Sequence, residues 1–346
     1  MSGLKRACRR LGVSLRVLTL AGVLVLAGCS AGGNGSAISP TPTPTAPPTA
    51  APSATPTKSA SCKLPVASGD APTDGNPAHG QAGSGGFLTM PGGTFTKDPQ
   101  SLAAYDSAVS KWLPVPRAWI SPDGTHYAWP ENQPGAGPVT GIIHVVEIAT
   151  GADKTFYVPA PSMPVSYEAS GVFVTRIVPN SDAPPQGLSK LDPGTGDFKQ
   201  LAADGNWSAL GGGFAFGGDV DSGVAQPPPA TGPGELYNRV RKLELATGTV
   251  TPIQSYPGSS VRVLGVLGTN PIVGVHTATG HYQVQVPAVI YDQAGAQSVP
   301  TDPIVVDGTN VWFSGQQGIF KWDGSGQVSD PIAVPVPLAI PVGACR

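Results

Sequence analysis

An all-β fold of repeated antiparallel units is predicted by three features of the 346-residue sequence. The first is the stretch 117–159, which parses as four short strands. They are Ala118-Trp119-Ile120-Ser121, His126-Tyr127-Ala128-Trp129, residues 142–148 and residues 154–158. Aromatic and β-branched residues fill these runs, and turn formers such as Pro122-Asp123-Gly124-Thr125 separate them. Four strands in about 44 residues is the size of one propeller blade. The second feature is repetition of the turn between the last two strands. Val146-Glu147-Ile148-Ala149-Thr150-Gly151 returns as Leu243-Glu244-Leu245-Ala246-Thr247-Gly248, with looser copies ending at Gly196, Gly295 and Gly326. A sixth copy, Ala104-Tyr105-Asp106-Ser107-Ala108-Val109, lacks the glycine. The third is the want of any long 3.6-residue apolar period, since Gly and Pro interrupt every run. The fold class is therefore all-β, a six-bladed β-propeller of antiparallel four-stranded blades, its ring closed by the C-terminal segment.

The elements follow in chain order. Lys5, Arg6, Arg9, Arg10 and Arg16 precede an apolar run, 17–27, that is short for a membrane span. That run ends in Leu26-Ala27-Gly28-Cys29-Ser30, which resembles the lipobox of bacterial lipoproteins. The resemblance implies a signal peptide over 1–28 and a mature chain that begins at a lipidated Cys29. The alternative is a plain secretory signal with a chance cysteine. Either way the address is extracytoplasmic, and under the first reading the chain is anchored to the membrane by its lipid.

Residues 29–61 form a linker. Ser39-Pro40-Thr41-Pro42-Thr43-Pro44 and its continuation to Lys58 are rich in Pro, Thr and Ala without apolar period. Such a chain is disordered and extended, about 3.1 Å per residue where polyproline-like, and holds a domain away from a bilayer. Thr/Pro linkers on lipoproteins of this kind can carry O-linked sugars by resemblance, and an unmodified tether is the alternative.

Residues 62–346 form the propeller domain. Six of the 20 Lys and Arg precede residue 62 and no Asp or Glu does, which leaves 14 basic against 22 acidic residues, a net charge of −8. Nucleic acid is excluded as a partner by that sign, as is an anionic lipid surface acting as a direct ligand. Cys8 leaves with the signal and Cys29 is the lipid site, so Cys62 and Cys345 remain, one at each end of the domain. An exported protein meets an oxidising compartment, and a disulfide between them is expected, with two free thiols as the alternative.

Within the domain, unit one is expected to hold 87–90, 94–96 and 107–115, without a first strand. Unit two is 117–160, unit three 161–204, unit four 205–258, unit five 259–302, and unit six runs from Pro303 past Gly326. The repeat spacing varies for identifiable reasons. Gly151 to Gly196 is 45 residues and Gly248 to Gly295 is 47, while Gly196 to Gly248 is 52 because 219–235 is an insert. Gly295 to Gly326 is only 31, which requires tight loops. The tail 331–342 is longer than one outer strand needs, and its last part is expected to supply the missing strand of unit one and cover an open sheet edge. The turn Ser121-Pro122-Asp123-Gly124-Thr125 before an aromatic strand resembles the turns of TolB-like and WD-repeat β-propellers. Val306-Asp307-Gly308-Thr309 is a degenerate copy. The resemblance concerns fold and transfers no site residue.

Long loops join second to third strands at 130–141, 179–187 and 219–235. All fall on one face of a propeller, which points to that face as the ligand face, with solvated spacer loops as the alternative. Its candidate residues are Trp129, Glu131, Asn132, Arg176, Asp182, Asp219, Asp221, His276, His281 and Gln316, joined by Trp207 from the connection between units three and four. Asp219 and Asp221 stand two apart before a glycine, as in a calcium loop, yet the later ligands of such a loop are missing, so no metal and no cofactor is expected. His276 and His281 lack a Cys or carboxylate cluster. His144 lies in an apolar strand, where a structural role is expected. No G-x-S-x-G, H-E-x-x-H or phosphate loop occurs. The reading is a binding or scaffold module for an extracytoplasmic protein, peptide or glycan of the envelope, with a monomer expected. The competing reading is a hydrolase or lyase acting on envelope or extracellular glycans. An enzyme should gather carboxylates or a His–carboxylate pair at the channel mouth, and a scaffold should show an apolar or aromatic patch on the loop face.

Overall fold

The computed structural model describes residues 61–68, 85–131, 140–177, 185–227, 237–279, 281–286, 289–293, 304–315, 317–324, 328–336 and 338–346. The expected signal peptide over 1–28, the expected lipid site at Cys29 and the linker to residue 60 lie outside them. Strands Cys62–Ser68 (β1), Gly86–Met90 (β2) and Thr94–Lys97 (β3) pair in sequence as antiparallel neighbours. A separate hairpin follows, Ala104–Asp106 (β4) and Lys111–Leu113 (β5). His126–Glu131 (β6), Gly141–Glu147 (β7) and Asp153–Val158 (β8) form a three-stranded sheet, and a bridge from Ile120 to Tyr127 adds a rudimentary fourth strand.

Three complete four-stranded sheets come next. Ser162–Glu168 (β9), Gly171–Arg176 (β10), Gln186–Leu191 (β11) and Phe198–Ala202 (β12) make the first. Asn206–Gly211 (β13), Phe214–Asp219 (β14), Arg239–Glu244 (β15) and Val250–Ser255 (β16) make the second. Ser260–Leu267 (β17), Asn270–His276 (β18), Tyr282–Val286 (β19) and Val289–Gln293 (β20) make the third. Val305–Asp307 (β21), Asn310–Gly315 (β22) and Gly318–Trp322 (β23) form a last sheet, extended by bridges from Ile319 to Ile332 and from Trp322 to Val328. Ala339–Pro341 (β24) returns to β1, pairing Val66 with Pro341 and Ser68 with Ala339. Each sheet runs as a meander, and this all-β succession is β-propeller architecture. Among the described residues no helix is long and apolar enough to cross a membrane.

The core lies between consecutive sheets. Phe173 and Leu188 of one sheet pack on Trp207, Ala215 and Leu243 of the next. Phe216 and Val240 pack on Val261, Val263 and Val273. Ile272 and Val284 meet Val311, Phe313 and Trp322. Leu64, Val66 and Leu88 of the first sheet share a cluster with Val305, Trp312 and Ile319 of the last. Burial of this kind is worth about 1.5–3 kcal/mol for each large side chain.

Unit one differs from expectation. Residues 107–115 do not join β2 and β3; the chain folds back on itself at Ser110, whose φ is +52°, and β5 pairs with β4. The physical reason is aromatic. Tyr105 and Trp112 pack against Phe87 at centroid distances of 5.0 and 5.6 Å, so the hairpin is a wedge beside the first sheet. The Trp112 indole Nε1 donates to Asp98 Oδ2 at 2.9 Å. Strand β1 is a first-sheet strand that the sequence analysis does not place, and it pairs on both sides although it contains Pro65, which cannot donate to a ladder. Pro65 still takes part in pairing through its carbonyl, which accepts from the Val342 N–H at 3.0 Å. A disulfide joins Cys62 to Cys345 across 283 residues, so both cysteines are paired.

The Ser121–Thr125 turn shows why that motif opens a strand. The Ser121 hydroxyl donates to Asp123 Oδ1 at 2.6 Å, and the Thr125 N–H and hydroxyl donate to the same oxygen. Gly124 takes the φ of +69° that the turn requires. Three donors hold the Asp123 carboxyl down to about 2, led by the Ser121 hydroxyl.

Candidate functional site

The first strands of successive sheets line one cavity of about 1080 Å³. It is bounded by β9, β13, β17, β21, the segment 116–122, and Ala344 and Arg346. Strands β9, β13, β17 and β21 are terminal in their sheets, so one edge of each lies free of sheet pairing. Six ionisable side chains line the cavity: Arg117, Tyr167, Glu168, Arg262, Asp307 and Arg346. Each acid accepts a hydrogen bond at one of its oxygens. Glu168 Oε1 accepts from the Ser166 hydroxyl at 2.6 Å, and Asp307 Oδ2 accepts from the Cys345 N–H at 3.0 Å. The Ser208 hydroxyl donates to the Val263 carbonyl at 3.0 Å, tying two neighbouring first strands. Among the described lining residues there is no histidine.

A second polar assembly sits where β14 leaves its sheet and β15 re-enters it. Residues two apart on a strand share a face, so Arg239 and Arg241 both project to one side of β15. Arg239 Nη2 donates to Asp219 Oδ2 at 2.5 Å, and its Nη1 lies 3.7 Å from Asp221 Oδ2. Arg241 is 7% exposed, lies 3.7 Å from Asp219 and 3.5 Å from Asp204, and rests on the Trp207 ring at 4.7 Å. Gly205 makes room for it: a Cβ there would fall 1.3 Å from Arg241 Nη2. The Asp221 carboxylate accepts from the Ser255 hydroxyl at 2.6 Å and from Gly223 N–H at 2.9 Å. Its backbone N–H donates to the buried Asn238 side chain at 2.6 Å.

These contacts set the acids' charge. Burial pushes Asp219 up, but the Arg239 hydrogen bond, the Val220 N–H and Arg241 together hold it below the usual carboxylate range. The Ser255 and Gly223 donors hold Asp221 low. The pair is thus a set of ionised carboxylates matched to two arginines, a brace for the root of the long β14–β15 loop. Sequence reasoning found the acids and missed the arginines. The signal was present in Asn238-Arg239-Val240-Arg241, where strand alternation places two cations on one face.

The remaining expected residues fall as follows. Two rings expected on the ligand face are core groups instead. Trp207 is 1% exposed and its Nε1 donates to the Asp204 carbonyl at 2.9 Å. Trp129 is 8% exposed and stacks on His144, with centroids 4.0 Å apart and planes at 10°. Their packing between sheets leaves no open ring face. His144 Nδ1 lies 2.8 Å from Asp153 Oδ2 and its Nε2 lies 3.2 Å from Glu131 Oε2. This His–carboxylate group belongs to β6, β7 and β8 and lies off the cavity. Arg176 ends β10, exposed, with Nη2 3.4 Å from Gln186 Oε1. His276 ends β18, and His281 closes the loop that follows, where its N–H donates to the Thr277 hydroxyl at 3.0 Å. Asn132, Asp182 and Gln316 lie outside the described residues. The structure therefore joins Trp207 and Asp219 through Arg241, Asp219 and Asp221 through Arg239, and Trp129 and Glu131 through His144. Of the expected residues described here, Trp207 alone borders the cavity.

No protein-family model and no curated protein matches the sequence. Among solved structures, 44 chains match. One, from a study of two prolyl endopeptidases, aligns at TM-score 0.41 and 13% identity over 75% of this chain and 39% of that chain. The β-propeller domain of the Trilobed protease from Pyrococcus furiosus aligns at TM-score 0.37 and 10% identity, over 61% of this chain and 65% of that one. An auxiliary nutrient binding protein from Bacteroides thetaiotaomicron aligns at 0.35 and 11% identity, over 78% and 64%. The chain spans less than two thirds of the length of each of these structures. No residue of this chain takes a role from them.

Proposed function

We propose that the chain is an envelope lipoprotein, anchored through Cys29, whose six-bladed propeller holds an extracytoplasmic protein, peptide or glycan. The cavity carries this reading. It is a concave space of about 1080 Å³ lined by apolar strand residues with a few arginines, two carboxylates that each accept an internal hydrogen bond, and Tyr167, which suits retention of a ligand. The six blades are the sheets led inward by 116–122, β9, β13, β17, β21 and the C-terminal strand β24, with the 104–113 hairpin as an added wedge. In this reading β24 closes the ring on β1 and the Cys62–Cys345 disulfide secures the closure. A disulfide of such span also supports an oxidising compartment.

The test is capture of a partner. The full chain, displayed in its own membrane and cross-linked at increasing reagent dose, is expected to yield a discrete envelope partner or a bound glycan. A variant whose cavity is obstructed, Ser208→Trp, is expected to lose it. Capture of nothing above the level of that variant, or turnover of an envelope glycan by the purified chain, would replace the binding reading with another.

A further inference from the structure

The charges around the cavity balance. Arg117, Arg262 and Arg346 line it, and so do Glu168 and Asp307. Arg117 Nη1 lies 3.7 Å from Oδ2 of the buried Asp106, which brings the acids to three against three arginines. Arg262 has a partner within the chain, and Glu168 and Asp307 accept from the Ser166 hydroxyl and the Cys345 N–H. A site without net charge exerts no long-range pull on an ionic ligand, and an ion entering it would lose its water without meeting a counter-charge.

The inner strands are also unsuited to pairing with a peptide. Strands β9, β13 and β17 each carry one extra residue against the second strand of their sheet: Val165, Ser208 and Leu264. The three bulges fall at one level, between the third and fourth residues of β10, β14 and β18, and all three extra residues line the cavity. A bulge breaks the regular spacing of N–H and C=O groups that an added strand needs, and a short edge has the same effect. Strand β21 is only three residues long. The Ser208 hydroxyl further occupies the Val263 carbonyl.

Neutral polar groups remain. Thr175 lies two residues beyond Phe173 on β10 and shares its face, and Phe173 packs on Trp207 of the next sheet. The Gly187 N–H donates to the Gly205 carbonyl at 2.8 Å, which brings the end of β10 and the start of β11 beside Asn206. Thr175 and Asn206 both line the cavity. The Thr175 hydroxyl is buried without a partner, and among the described residues the Asn206 side-chain amide makes no hydrogen bond. A buried hydroxyl left without a partner is exceptional in a folded protein and points to a bound group that satisfies it. Hydroxyl and amide each donate and accept, which matches the hydroxyl groups of a sugar. At about 1080 Å³ the cavity exceeds what one sugar ring fills.

We infer that the cavity takes a neutral oligosaccharide, whose hydroxyl groups exchange hydrogen bonds with the Asn206 amide and the Thr175 hydroxyl. The inference rests on the binding-module reading and names its ligand chemistry.

The experiment is calorimetric titration of the intact full chain. Mannotriose, cellotriose and triacetylchitotriose are compared with a uronic-acid trisaccharide and with acetyl-tetraalanine amide. At least one neutral trisaccharide is expected to bind at least tenfold tighter than both the acidic sugar and the peptide. Thr175→Val removes a hydroxyl that has no partner in the protein, so its melting temperature should be equal or higher, while it should weaken the sugar about fivefold. Asn206→Ala should weaken the sugar by a similar factor. A preference below tenfold, undiminished binding in either variant, or no binding of any neutral trisaccharide would each overturn the inference. Partner capture is read separately. A captured protein partner without sugar binding sinks this inference and leaves the binding module standing; failure of capture as well removes both.

Discussion

At the scale of single residues, the fold spends its charged groups on itself. Arg241 is buried between Trp207 and Gly205 and answers two acids. Truncation to Ala is expected to cost about 2–4 kcal/mol, below the full figure for a buried pair because Asp204 reaches solvent. A lowered urea midpoint at unchanged slope would show it, and an unchanged midpoint would mean the brace is ornamental. Asp123 supplies an acid-side test. Its folded pKa is depressed from 3.8 to about 2, so its contribution is present above pH 4 and fades as pH falls through about 2. Asp123→Asn should flatten that part of the stability profile, modestly, since the group is solvent-exposed. Tyr127 and Tyr256 supply the alkaline counterpart. Burial pushes both up to about 12, with Asp153 adding to the effect at Tyr127. Between pH 10 and 12 the folded chain holds protons that the unfolded chain has lost, so stability falls as pH rises. Phenolate absorbance should show both groups titrating near 12 in the folded protein and near 10 after unfolding. At this scale the sequence showed which polar residues cluster in the insert, but not that Trp129 and Trp207 are covered.

At the scale of elements, the repeated turns were legible because a strand–turn–strand unit is local chemistry. Ala149-Thr150-Gly151 and Ala246-Thr247-Gly248 join β7 to β8 and β15 to β16, and both glycines adopt positive φ. In each the threonine hydroxyl donates to the preceding glutamate, Glu147 or Glu244. The 104–113 hairpin was not legible, because its partner is chosen by the Phe87–Tyr105–Trp112 contacts and not by neighbours in sequence. Trp112→Ala should cost about 3–5 kcal/mol, the usual range for an aromatic deletion in a core. A smaller loss than that of a surface control would remove the hairpin from the core. The strand β24 is the other non-local element. Replacing Cys62 and Cys345 by serine frees a chain segment of 283 residues, for which loop entropy gives about 5 kcal/mol of stabilisation. The double variant should unfold at a clearly lower denaturant midpoint than the oxidised protein and at the same midpoint as the reduced one.

At the scale of the whole molecule, the cavity exists only because first strands from separate sheets face one space. Its arginines, at positions 117, 262 and 346, are separated by more than two hundred residues of chain, and no spacing rule could have gathered them. Membrane attachment belongs to this scale too. Cys29→Ala should move the full chain from the membrane fraction to the soluble exported fraction, and retention in the membrane would rule out the lipid anchor. By itself the sequence determined the strand-rich class, the repeat, the pairing of the two terminal cysteines and the sign of the domain's charge, because period, turn chemistry and composition are written residue by residue. Only the tertiary structure decided that the hairpin stands apart from the first sheet, that β1 pairs despite its proline, that the insert's acids are matched to arginines, and that the basic groups line a cavity. Those outcomes depend on which distant surfaces fit against one another, and the energy that selects them appears only when the sheets pack.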